Sequence, residues 1–123
     1  MSKNFSDSAQ KVWKSGQQRN NDVQLDITDK YSVDNFCKES QYFNILVFLV
    51  GLAHKKGNKR QMEKYKNVNY NSLANLLSSF DKVEKIPEKV IFASTISVYG
   101  ERLNINNYNE KLLPEPSSPY AIT

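Results

Sequence analysis

Two short apolar runs constrain what this chain can fold into more than anything else in it. Ile45-Leu46-Val47-Phe48-Leu49-Val50 and Val90-Ile91-Phe92-Ala93 are flanked by polar residues, and each is too short for a buried helix. Neither alternates polar with apolar. That pattern predicts central strands of a parallel sheet, covered by helices on both faces. Between the runs, Met62, Tyr65, Leu73, Leu76, Leu77 and Phe80 recur at helical spacing, which predicts one helix from about Asn58 to Val83. Asn69 falls on that stripe, four residues from both Tyr65 and Leu73, so its amide needs a hydrogen-bond partner. Pro87 prevents the helix from running on, and Lys89 to Ser94 then reads as a second buried strand. Strand, helix and strand in this order make a parallel crossover unit.

Upstream, Val23-Gln24-Leu25 reads as a short strand. Thr28 or Asp29 can cap a helix that continues to about Ser40, with Val33, Phe36 and Cys37 on its inner side. Residues 1–21 are rich in Asn, Gln, Ser and Lys, with Phe5, Val12 and Trp13 as the only large apolar groups. No strand and no helical period is visible there, so an irregular or disordered segment is expected, followed by an α/β domain over 22–123. In an open α/β sheet, ligands bind beyond the carboxyl ends of the strands. Three stretches occupy that rim: Asp26-Ile27, Val50-Gly51-Leu52, and Thr95 to Gly100.

Composition excludes several classes. The 123 residues are 39% hydrophobic and 24% charged, as expected for one soluble domain or less. No apolar run approaches the roughly 18 residues of a membrane span, and residues 1–21 contain no secretory h-region. The single cysteine, Cys37, cannot form an internal disulfide and suits a reducing, cytoplasmic setting. Nothing near it in sequence would activate it as a nucleophile. His54 is the only histidine and no cysteine cluster exists, so no metal site is expected. The net charge is +4, and the dense basic stretch is Lys55, Lys56, Lys59, Arg60, Lys64 and Lys66 against Glu63. A solvated helix face accounts for such a run. The alternative is a small basic α/β binding module for an anionic partner such as nucleic acid, without catalysis.

The most specific pattern joins Phe92-Ala93-Ser94-Thr95-Ile96-Ser97-Val98-Tyr99-Gly100 to Ser117-Ser118-Pro119-Tyr120-Ala121-Ile122-Thr123. A strand ending in a Ser/Thr cluster that leads to Val-Tyr-Gly, followed at this spacing by Pro-Tyr, closely resembles the extended short-chain dehydrogenase/reductase family. Within it the resemblance is to NAD-dependent epimerases/dehydratases of the UDP-glucose 4-epimerase kind. It implies a partial Rossmann-like parallel sheet flanked by helices, NAD as cofactor and a nucleotide sugar as substrate. Tyr120 would be the general base and Thr95 its hydroxyl partner, Ser94 would line the same pocket, and Ala93 and Ser94 would contact the cofactor. A free phenol titrates near pH 10, so that family places a lysine cation beside the tyrosine to favour the phenolate.

Further segments are similar to the same family. Val47 to His54 resembles the strand that carries small residues past the cofactor, which assigns Leu49, Val50 and Gly51 to cofactor contact, although Phe48 and Val50 are larger than that pattern's residues. Asp26-Ile27 resembles the acidic-hydrophobic pair that holds adenine, and Asn67-Val68-Asn69 resembles an Asn-x-Asn in the helix after the fourth strand. Asn67 is thereby assigned to cofactor contact and Asn69 to packing or backbone bridging. The resemblance covers Val23 to Thr123. Gly16, Gly51, Gly57 and Gly100 do not form the family's Gly-x-x-Gly-x-x-Gly turn, and its first strand, its catalytic lysine and its C-terminal sugar-binding part have no counterpart in these residues. The chain is therefore expected to be a fragment with negligible activity alone. An unpaired sheet edge should make it dimerise or aggregate.

Overall fold

The computed structural model describes residues 15–16, 23–52, 61–100 and 107–123. Strand β1 is Ser15–Gly16, β2 Val23–Gln24, β3 Ile45–Phe48 and β4 Lys89–Phe92. The helices are α1 (Lys30–Glu39), α2 (Met62–Tyr65), α3 (Ser72–Lys82) and the short α4 (Pro119–Ile122). β1 pairs with β2 and β3 with β4, both in parallel. The fold is the expected parallel α/β arrangement. The pairing of Ser15–Gly16 departs from the irregular segment expected there, because two small polar residues carry no strand signal of their own.

The helices begin and end for local reasons. The Asp29 carboxylate accepts from the Ser32 amide at 2.9 Å and caps α1, as one of the two caps read from sequence. Val33 and Cys37 on its inner face are completely buried. At the other end of α1, the Lys85 ammonium donates to the Cys37, Lys38 and Ser40 carbonyls at 3.3, 2.7 and 2.7 Å, placing a cation where the helix dipole is negative. α3 stops in a Schellman turn: Lys85 N–H reaches the Phe80 carbonyl and Glu84 N–H the Asp81 carbonyl, with Glu84 held at φ 56°.

The predicted helix over 58–83 is not uniform. Its described part starts at Met62, and Lys66–Asn71 between α2 and α3 is π-helical. A π turn widens the helix by a residue and is rare, and those that occur are frequently at functional sites. Here it brings Asn69, which is buried, to face the loop after β3.

α1 and α3 pack together over one face of β3. The core is Leu25, Val33, Cys37, Phe48, Leu76 and Phe80, with the Phe36, Phe43 and Phe80 rings in mutual contact. Because strand side chains alternate, Ile45 and Val47 point to the other face, and register places Ile91 beside Val47. Those three are 46%, 47% and 51% exposed. Two expectations are therefore corrected. β3 is not covered on both faces, and β4 is not a buried strand, since all four of its residues are exposed. The runs are apolar strands, but what covers an apolar residue is a tertiary matter that the run itself does not encode.

Candidate functional site

β3 and β4 are in register and end together, so the segments following them lie side by side; the Ala93 amide donates to the Phe48 carbonyl at 3.3 Å. Beyond β4, Ala93 and Ser94 are exposed and Thr95 is half-buried. Thr95 has extended backbone and opens a 3₁₀ turn over Ile96–Tyr99. Its Oγ1 accepts from the Ser97 amide and donates to the Ser97 hydroxyl, both at 3.3 Å. The hydroxyl thus has the strand-end cap role that such residues commonly take, at the point where the chain leaves the sheet.

The turn closes on Gly100, whose φ of 73° lies in the left-handed region. A Cβ on Gly100 would overlap the Glu115 carbonyl oxygen. Close by, the Glu115 amide donates to the Val98 carbonyl at 2.9 Å. This contact returns the chain toward the strand end and leads it into α4. Ser118 caps α4 by accepting from the Ala121 amide at 3.2 Å, Pro119 fills its first turn and is buried, and Tyr120 is half-buried. The 3₁₀ turn and α4 pack on each other. The two most distant members of the sequence pattern, Thr95 and Tyr120, thus sit on elements in direct contact.

An open pocket of about 370 Å³ lies on the outer side of Thr95. It is lined by Ser94, Thr95, Ile96, Val98 and Tyr99 from the strand end and its turn, and by Tyr108, Asn109 and Glu110 from the returning segment. Tyr120 does not line it. The sequence reading misses Tyr108, Asn109 and Glu110; no local signal marks them, because only the return of the chain after Gly100 brings them to the strand end.

On the β3 side of the rim, Leu49, Val50 and Gly51 are exposed. A Cβ at Gly51 would meet Asn69 Oδ1 at 3.7 Å, an ordinary contact, so the fold itself does not demand glycine here. Asn69 links the rim's parts. Its Oδ1 accepts from the Leu52 amide at 2.8 Å and its Nδ2 donates to Thr123 Oγ1 at 3.1 Å, while that hydroxyl donates to the Pro119 carbonyl at 2.8 Å. One buried amide therefore ties the loop after β3 to the helix that carries Tyr120. The bridging assigned to Asn69 from sequence is what this geometry displays. Asn67, two residues earlier, is exposed on the π turn.

Asp26 and Ile27 follow β2. The Asp26 carboxylate accepts from the Thr28 amide and hydroxyl at 3.0 and 2.7 Å, and Ile27 packs partly buried against the core. These contacts are local to the start of α1. His54 and the basic residues Lys55, Lys56, Lys59 and Arg60 lie outside the described residues, while Lys64 and Lys66 are exposed.

Electrostatics separate structural from reactive groups. Burial, with Asp34 nearby, pushes the Cys37 thiol up to about 11, so it is a core residue and not a nucleophile. The polar groups at the pocket are hydroxyls, phenols, one amide and one carboxylate. Such a set can position a polyhydroxylated ligand and relay a proton. For a dinucleotide, the rim offers exposed, uncharged Leu49-Val50-Gly51 beside Ala93-Ser94, which fits a cofactor lying across the ends of β3 and β4.

The sequence from residue 3 to 123 matches the model of the family described as NAD dependent epimerase/dehydratase. No curated protein matches. Among solved structures, Pal from Bacillus thuringiensis superposes with a TM-score of 0.76 at 20% identity, over 98% of this chain and 42% of that one. MoeE5, solved in complex with UDP-glucose and NAD, gives 0.72 at 22% identity, over 97% of this chain and 39% of that one. UDP-glucose 4-epimerase from Thermus thermophilus, solved with NAD, gives 0.61 at 26% identity, over 85% of this chain and 33% of that one. The fold is shared, and the chain spans well under half the length of each.

Proposed function

Because this chain belongs to the NAD dependent epimerase/dehydratase family, we propose that it forms the central part of a catalytic domain that epimerises or dehydrates a nucleotide sugar with NAD. The observation that carries the proposal is the packing of the Thr95-capped turn on the helix bearing Tyr120. NAD would supply a hydride acceptor and donor for a sugar carbon. Leu49, Val50, Gly51, Ala93 and Ser94 would hold it along the rim, with Asp26, Ile27 and Asn67 toward its adenosine end.

The chain's own residues would handle the proton. The Thr95 hydroxyl, already polarised by its bonds to Ser97, orients the sugar hydroxyl. Tyr120 takes that hydroxyl's proton as the carbon is oxidised and gives it back on reduction. Asn69 keeps the two sides of the rim in register through Leu52 and Thr123. With no described helix long and apolar enough to cross a membrane, and with a buried free thiol, the reading includes a cytoplasmic location.

The test is an amide-resolved NMR titration of the 123-residue chain with UDP-glucose and with NAD. Shifts centred on Ser94, Thr95 and Tyr120, abolished by Thr95→Val and Tyr120→Phe, are expected. NAD should bind no tighter than about 1 mM without a glycine-rich phosphate turn, and turnover should be negligible. Shifts confined to Lys64 and Lys66 would instead favour the anion-binding module.

A further inference from the structure

The part of the pocket lined by the returning segment carries a selectivity that the family assignment does not specify. Tyr108 is anchored by donating from its phenol to the Gly100 carbonyl at 3.2 Å, and its ring centroid lies 6.1 Å from that of Tyr99. After it the chain turns tightly: the Lys111 amide donates to Asn109 Oδ1 at 3.0 Å, and the Leu112 amide to the Asn109 carbonyl at 3.2 Å. That turn places Glu110 at the pocket. It is the one charged side chain among the described residues lining it, and Lys111 does not line it.

We infer that Glu110 makes this a site for sugars whose ring substituents are neutral and disfavours sugars bearing a carboxylate. The inference rests on the proposed function, since it takes the pocket beside Thr95, which Tyr120 does not line, as the place of the sugar substituents away from the reacting carbon. The two tyrosines supply an apolar wall for the C–H face of a pyranose, as aromatic rings do for carbohydrate rings. Ser94, Thr95 and Asn109 supply hydroxyl and amide partners. A neutral sugar hydroxyl can donate to the Glu110 carboxylate. A carboxylate substituent cannot, and it would meet a like charge. This is discrimination by an unfavourable element against the wrong ligand. Glu110 is exposed, so the effect is that of a screened surface pair, about threefold to fivefold in affinity.

UDP-glucose and UDP-glucuronate form a matched pair, because the uridine diphosphate is common to both and its repulsion by Glu110 cancels in the ratio. Titrating the chain with each, read at the Thr95 and Tyr108 amides, should show UDP-glucose binding about fourfold tighter at low salt. Glu110→Gln should bring the ratio close to one by strengthening UDP-glucuronate, and added salt should do the same in the unmodified chain. A ratio near one in the unmodified chain, or one unchanged by Glu110→Gln, would overturn the charge selection while leaving the proposed function standing. If neither sugar shifts Thr95 or Tyr108, both fail together.

Discussion

The two faces of strand β3 have similar compositions and opposite circumstances, while β4 beside it is exposed on both. On one, Phe48 is 3% exposed beneath α1 and α3, with Phe80 wholly buried. On the other, Ile45, Val47 and Ile91 stand about half open. The closed face is built from segments contiguous in sequence, one helix before β3 and one between the strands, so a single stretch of chain suffices to make it. A parallel sheet is ordinarily covered on both sides.

The sharpest way to break that comparison is to empty each face in turn. Phe80→Ala removes a fully buried ring that touches Phe36 and Phe43, and should cost about 3–5 kcal/mol in a denaturant melt, a large share of the stability of a chain of this size. Ile91→Thr on the open face should stay within about 0.5 kcal/mol and should lower self-association in sedimentation velocity. Equal losses from the two changes would mean that the open face is covered in solution.

Next in size is Gly100→Ala, which tests whether the strand-end turn is as fixed as the core. A methyl there meets the Glu115 carbonyl and a left-handed backbone at once, so about 2–4 kcal/mol should be lost, with amide shifts through Val98, Glu115 and Tyr120. A neutral result would show that the return segment does not pack on the turn. Asn69→Ala follows at about 2 kcal/mol, because the buried side loses the acceptor of the Leu52 amide and one of the two partners of the Thr123 hydroxyl. Asn67→Ala, on the exposed side of the same π turn, should change stability by less than about 0.5 kcal/mol. If the two asparagines cost the same, the bridge from Asn69 is not what holds the rim.

These positions also show what can be read from the sequence. Asp29 and the Val33, Phe36 and Cys37 spacing define α1 locally, and the structure agrees. Two short, ordered motifs make Thr95 and Tyr120 a pair in the sequence, and what the structure adds is that the elements carrying them meet. The π turn is not legible, since periodicity sees an unbroken stripe while the extra residue is stabilised by partners at Leu52 and Thr123. Nor is the exposure of β4, or the arrival of Tyr108 and Glu110 at the pocket. Each depends on what a distant segment does, and no window of sequence contains that segment.

The smallest effect sharpens the comparison inside the closed face, at the seam between its two helices. Ser79 on α3 donates to Asp34 on α1 at 2.6 Å, and this bond, more than the nearby Lys30 and Lys82, holds the Asp34 carboxyl below the usual carboxylate range. A depressed folded-state pKa adds stability above the unfolded value near 4, and that stability is lost as pH falls through the lower, folded value. Ser79→Ala should therefore lower the melting temperature at pH 7, and the gap to the unmodified chain should narrow between about pH 5 and pH 2. Salt separates the causes. The Lys30–Asp34 pair at 3.3 Å is exposed and screened, so Lys30→Ala should matter less at about 0.5 M salt than at low salt, whereas the Ser79 effect should persist. A gap that is flat with pH would mean that the two helices are joined by packing alone, with no contribution from the charge between them.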